Sequence, residues 1–261
     1  MKPWSQVEPT TLEQIEGVCL DIDETLSTRG KLTAEAFSAL WGLKQAGIKV
    51  VPITGRPAGW CDLIARFWPV EAVVGENGAF SFFMSEGKRS RLTTPGAAPD
   101  PGPGIRRLGE RIRQQFPNAQ WASDQAYREY DLAIDFCEDV EPWSRAQVDA
   151  LVECCEREGA HAKVSSIHVN AWFGDYDKYR GFMHLLDQFP GRGLPPAKNW
   201  LFIGDSPNDE PLFARFPISV GVANLSAFLD RLKTPPAFLT QAESGAGFVE
   251  MAQRLIRNKT E

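Results

Sequence analysis

Short, mostly apolar runs recur along the chain: Gly17 to Leu20, Ile48 to Ile53, Ala72 to Val74, Trp200 to Ile203 and Ile218 to Val222. Apolar runs of this length without alternation read as strands buried on both faces of a parallel sheet. Segments of helical period lie between them. Thr33 is a good N-cap for a helix carrying Phe37, Leu40, Trp41 and Lys44, and Gly47 stops it. Pro57 suits the first turn of a helix whose apolar stripe is Trp60, Leu63, Ile64 and Phe67. Strand-helix-strand-helix-strand predicts right-handed crossovers and a parallel sheet.

The rhythm changes after Val74. Asn77-Gly78 predicts a turn into a strand over Ala79 to Met84. A Pro/Gly-rich loop at 93–104 precedes a helix over 105–116. Residues 128–136 alternate, with Tyr130, Leu132, Ile134 and Phe136 on one face and Glu129, Asp131 and Asp135 on the other. Residues 162–172 alternate too, with Ser166, His168, Asn170 and Trp172 opposite Ile167, Val169 and Ala171, and a helix over 143–158 separates the two stretches. This is the signature of a smaller α+β module with one solvated sheet face. At Asp175 to Lys178 the chain re-enters the first unit, adding helices over 178–189, 210–213 and 247–257. The expected architecture is α/β, a Rossmann-like parallel sheet from residues 1–80 and 176–261 with an inserted α+β cap at 81–175.

Composition adds little to that picture: 43% hydrophobic and 24% charged residues over 261 positions is globular. The net charge of −6 argues against nucleic acid or an anionic membrane as partner. Five cysteines without Cys-x-x-Cys spacing or a histidine pattern argue against a disulfide framework or a zinc site. With no apolar leader in residues 1–16 and no run of membrane-spanning length, the expected compartment is the cytoplasm. Nothing in the sequence sets the oligomeric state.

The chemistry lies at the strand ends. Gly17 to Leu20 runs into Asp21 and Asp23, Ile48 to Ile53 into Thr54, and Trp200 to Ile203 into Asp205 and Asp209. In an open α/β sheet the carboxyl ends share one edge, and ligands bind there. One such carboxylate can attack an electrophile and a pair can hold a divalent cation. Taken singly, each acid is an ordinary turn residue. Taken together with Lys178, they form an ordered set that turn chemistry does not explain.

Asp21-Ile22-Asp23-Glu24-Thr25, Thr54-Gly55-Arg56, Lys178 and Gly204-Asp205-Ser206-Pro207-Asn208-Asp209 resemble the four motifs of the haloacid dehalogenase superfamily of phosphotransferases. The large insert between the second and third motifs resembles the cap of its Cof-like and sucrose-phosphate phosphatase-like subgroup. Glu24 stands where many of that subgroup carry glycine. The resemblance implies a phosphatase for a small phosphorylated metabolite, with a sugar phosphate expected. Asp21 is then the nucleophile and Asp23 the acid and base. Thr54 and Lys178 hold the phosphoryl group, and Mg²⁺ sits on Asp21, the backbone carbonyl of Asp23 and Asp205. Asn208 and Asp209 are supporting residues, equally explained as helix caps. Arg56 contacts substrate or makes an ion pair. His168 and Asn170, on the cap face over the crevice, are specificity candidates. A phosphomutase is the alternative enzyme, disfavoured by the acidic cap face, and a catalytically silent phosphate sensor is the non-enzymatic alternative. A dehalogenase leaves Asp23 without a role.

Overall fold

The computed structural model describes residues 1–97, 102–189 and 193–260. Part of the loop expected at 93–104 therefore lies outside the described residues. Six parallel strands form the central sheet, in the order Lys2–Pro3, Phe238–Leu239, Ile218–Gly221, Trp200–Gly204, Gly17–Leu20 and Lys49–Pro52. Its strands alternate between two apolar layers. Val18, Leu20, Val50, Leu201 and Ile203 face Leu40, Leu43, Met251 and Leu255 of the helices Ala34–Gln45 and Ser244–Thr260. Cys19, Val51, Trp200 and Phe202 face Phe182, Leu185, Phe213 and Phe216. Burial on both faces is why these runs carry no polar alternation.

Thr33 caps its helix as expected, its Oγ1 accepting from Ala36 N at 3.2 Å. The Asn77-Gly78 turn joins Val73–Gly75 to Phe80–Ser85, and Lys88–Thr93 completes an antiparallel three-stranded sheet. A bridge between Ile53 and Val74 ties it to the central sheet.

The second sheet has the order Gln120–Trp121, Asp131–Asp135, His168–Trp172, His161–Val164 and is antiparallel throughout. The alternating stretch 162–172 is thus two strands. Helices Gly102–Gln115 and Arg145–Arg157 pack on its apolar face.

Two expectations fail here. The polar face of this sheet is not solvated: Asp131, Asp135, His168 and Asn170 are each at most 2% exposed. It lies against the edge of the central sheet, where its polar groups meet polar partners. The stripe Trp60, Leu63, Phe67 is not core either. These residues are 42%, 54% and 74% exposed, and Ala58, Cys61, Ile64 and Ala65 supply the buried side of Ala58–Phe67.

Candidate active site

Gly17–Leu20 pairs with Trp200–Gly204 on one side and with Lys49–Pro52 on the other. Asp21, Asp205 and Thr54 therefore leave the sheet at adjacent tips. Asp21 N donates to Ile203 O at 2.9 Å, which carries the pairing up to the acid. The fourth component arrives from the re-entry point. Asp177 caps the helix Lys178–Gln188 through Arg180 N at 2.7 Å, and Lys178 opens that helix with its side chain buried.

That helix start sits where it does because of Gly78. Its φ is +106°, and a Cβ there would lie 2.0 Å from Asp177 O. Only glycine satisfies both constraints. Gly181 is equally close from the other side, its Cβ position 2.6 Å from Gly78 O.

Lys178 Nζ donates to Asp21 Oδ1 and to Asp209 Oδ1, each at 2.7 Å. Asp209 Oδ2 accepts from Asp205 N at 3.1 Å and Ser206 N at 3.3 Å. Asp209 is thus both the cap of its turn and the anchor of Lys178. Asn208 Oδ1 accepts from Ser206 Oγ at 2.8 Å. Asp205 Oδ1 accepts from Thr25 Oγ1 at 3.2 Å. Thr54 is buried, and its Oγ1 accepts from Arg56 N at 3.0 Å, which directs its hydroxyl hydrogen elsewhere.

Electrostatics follow from burial. Asp21 is pushed up to about 7, chiefly by burial, with Lys178 pulling it down and Asp209 and Asp23 pushing it further up. Burial and the Asp21 and Asp209 charges raise Asp205 well above the carboxylate range. Burial disfavours the Lys178 cation, but Asp209 and Asp21 outweigh it and hold the ammonium charged.

Oxygen atoms of Asp21, Asp205 and Asp209 lie within 4.8 Å of one another, all buried. One ammonium faces three carboxylates, so the set is short of positive charge. Asp209 has both oxygens occupied, whereas Asp21 Oδ2 has no donor among the described residues. An all-oxygen, charge-deficient cluster suits a hard divalent cation, and Mg²⁺ fits it. The third carboxylate of the cluster is Asp209. The Asp23 carboxylate is not part of this cluster, both its oxygens being held by Arg56.

Asp23 is held by Arg56, whose Nη2 reaches Asp23 Oδ1 at 2.8 Å and whose Nε reaches both carboxylate oxygens. The same guanidinium contacts Glu138 Oε1 at 2.6 Å and Asp124 Oδ2 at 3.2 Å, and it stacks on Trp60 at 4.3 Å. Arg56 makes the ion pair that is one of its two readings. His168 Nε2 lies 2.9 Å from Glu138 Oε2. Asn170 Nδ2 donates to Asp131 Oδ2 at 3.0 Å, and Asn77 Nδ2 donates to the same oxygen at 3.2 Å. Asn77 adopts the left-handed turn (φ 55°) and also joins this network. Arg128 bridges Asp124 and Asp131 and donates to Gly55 O at 2.8 Å.

Glu138, Asp124, Arg128 and Glu76 are absent from the sequence reading. Glu138 had a local signal. Asp135 accepts from Cys137 N, Glu138 N and Asp139 N, a turn that aims Glu138 back over the strand end. Between the two sheets, beside Asp21, Asp23, His168 and Asn170, the free space is only ≈ 10 Å³, about one water.

The fold is shared with solved structures, among them a haloacid dehalogenase-like hydrolase from Bacteroides thetaiotaomicron at TM-score 0.64 and 13% identity, over 92% of this chain and 99% of that one. The chain matches a Thermoplasma acidophilum protein at TM-score 0.71 and 18% identity, over 92% of this chain and 98% of that one. It matches a phosphatase of the haloalkanoate (HAD) enzyme superfamily, also from Bacteroides thetaiotaomicron, at TM-score 0.64 and 18% identity, over 97% and 99%. The sucrose-phosphatase of Synechocystis, solved with sucrose and phosphate, matches at 0.64 and 14% over 93% and 98%. No family model and no curated protein sequence matches the chain.

Proposed function

We propose that the protein is a Mg²⁺-dependent phosphatase for a small phosphorylated metabolite, working through an aspartyl-phosphate on Asp21. The observation that carries this reading is the convergence of Lys178 on Asp21 and Asp209 at 2.7 Å beside Asp205. A phosphate monoester repels nucleophiles by its own charge, so an attacking carboxylate needs cations around it. Lys178 supplies a fixed positive charge, held by Asp209. Thr54 donates its hydroxyl hydrogen to a phosphoryl oxygen. Asp21 attacks phosphorus, and the P–O bond to the leaving alcohol breaks. Asp23 gives that alcohol a proton and then takes one from the water that hydrolyses the aspartyl-phosphate. Mg²⁺ would be held by Asp21, Asp205 and the carbonyl of Asp23, and it supplies charge neutralisation for the transferring group.

Residues 81–175 act as the cap in this reading, with 1–80 and 176–261 as the catalytic core. A space fit for one water does not admit a metabolite, so the cap must lift for substrate to enter, parting Arg56 from Glu138 and Asp124, and then close over it with those contacts re-formed. The sugar phosphatases among the structural neighbours favour a sugar phosphate, and the acidic groups Asp124, Asp131 and Glu138 on the facing surface disfavour the second phosphate site of a mutase. Five free cysteines suit a reducing, cytoplasmic compartment.

The test is turnover of p-nitrophenyl phosphate with added Mg²⁺, then EDTA, then restored Mg²⁺. The reading expects activity, its loss and its recovery. Hydrolysis indifferent to chelation contradicts the metal assignment.

A further inference from the structure

Next to the narrow space over Asp21 lies a larger cavity of ≈ 290 Å³ that reaches Asp23 and Arg56 from the other side and is bounded by Glu24, Arg29, Glu138 and Ser166. If Asp23 protonates the leaving alcohol, the leaving group lies on the Asp23 side of the phosphorus, and this is the space available to it.

The charges along its wall are unequal in what they offer. Arg56 looks like an anion receptor, but its donors already serve Asp23, Asp124 and Glu138. Glu24 adds negative charge from residues 1–80, its oxygens held by Gly30 N at 3.2 Å and Ser244 Oγ at 3.1 Å. Arg29 is exposed, at the solvent rim. Glu138 is the charged group that residues 81–175 present to the cavity. Burial opposes its ionisation, but the contacts from His168 and Arg56 prevail and hold it at about 2, so it is a carboxylate throughout the working range. A carboxylate has about four acceptor sites, so the Arg56 and His168 contacts leave it able to take a hydroxyl.

We propose that Glu138 selects the leaving group, accepting hydrogen bonds from the hydroxyls of a neutral polyol and repelling phosphomonoesters whose leaving group carries a carboxylate. The inference rests on the phosphatase reading above. Its physical basis is repulsion as much as attraction: Arg56 is shared among Asp23, Asp124 and Glu138, and Arg29, the other guanidinium bounding the cavity, stands exposed to solvent, so Glu138 sets the charge that an anion meets. Asp135 makes Glu138 suited to this role, since its carboxylate fixes the 137–139 turn and so the direction of the Glu138 side chain.

The experiment compares kcat/KM for a set of hexose and hexitol phosphates with that for 3-phosphoglycerate, in Mg²⁺, for the full-length wild type and Glu138→Gln. The wild type is expected to favour the best neutral substrate, and Glu138→Gln to shrink that preference at least about tenfold, with 3-phosphoglycerate gaining relative to the sugar phosphates. Glu138→Asp, which keeps the charge, should stay nearer the wild-type ratio. Ser166→Lys places a cation on the same wall with Glu138 intact and should move the ratio in the same direction as Glu138→Gln, which keeps the test alive if the latter does not fold. Turnover with a preference that none of these variants shifts, or a wild type that prefers 3-phosphoglycerate, overturns the inference alone. A wild type that hydrolyses neither these substrates nor p-nitrophenyl phosphate overturns the phosphatase reading, and this inference with it.

Discussion

At the scale of single residues, the acids that matter differ in how they are paired. Asp21 and Asp205 are buried with less positive charge than they need, whereas Asp23, Asp124 and Glu138 share one guanidinium. Glu76 is a third kind. It is fully buried, and its carboxylate accepts from Ala58 N, Glu129 N, Tyr130 N and Asp131 N, tying the turn of the first hairpin to the entry of the second sheet. Burial, followed by the charge of Asp131, pushes it from 4.5 up to about 8 against those donors and Arg128. A carboxyl raised in the folded state keeps a proton that the unfolded chain has released. Its contribution to stability therefore falls as pH rises from about 4.5 to about 8. Denaturant unfolding at pH 5 and pH 8 should show the wild type losing more stability than Glu76→Gln, by on the order of 1 kcal/mol or more. Parallel losses would contradict the assignment. The strand-tip acids are legible because an apolar run that ends in Asp-x-Asp has few explanations. Glu76 is not, since a glutamate next to Asn-Gly looks like any solvated turn residue until the backbone donors that surround it are known.

At the scale of elements, the strands and helices of the central sheet follow from burial on two faces, which the sequence displays directly. Sidedness is harder to read. Period-two alternation in 128–136 and 162–172 marks strands, but it cannot say whether the polar face meets water or other polar groups. Here Asp131 Oδ2 accepts from both Asn170 and Asn77, and Arg128 donates to Gly55 O, so a face that reads as wet is closed. In Ala58–Phe67 small residues, together with Cys61 and Ile64, make the buried side, and the bulky stripe is outside. The position of Lys178 is likewise an element-scale property, fixed by the Gly78–Asp177 approach. Gly78→Ala should push the start of its helix away from the sheet edge. Expected costs are about 2–4 kcal/mol in stability and a larger fractional loss of phosphatase activity than of folded protein at 25 °C. A variant as stable and as active as the wild type would show that the close approach is not what sets Lys178.

For the whole molecule, the sequence order of the motifs and the spatial order of the strands agree. Residues 21, 54 and 205 are far apart in the chain, and a parallel sheet with the order Trp200–Gly204, Gly17–Leu20, Lys49–Pro52 brings their strand tips side by side, with Lys178 reaching in from the start of its helix. The second sheet then covers that edge through Arg56, Glu138, Asp131 and Asn170, so the contacts that close the site also present Glu138 to the adjoining cavity. Catalysis in this account belongs to the edge and choice of substrate to the covering sheet. All of it depends on Asp21 carrying the phosphoryl group. The most direct test is the rate of p-nitrophenyl phosphate hydrolysis in Mg²⁺ by Asp21→Asn, checked to be folded. The account expects a fall of at least about 10³-fold, and a rate close to that of the wild type would contradict it.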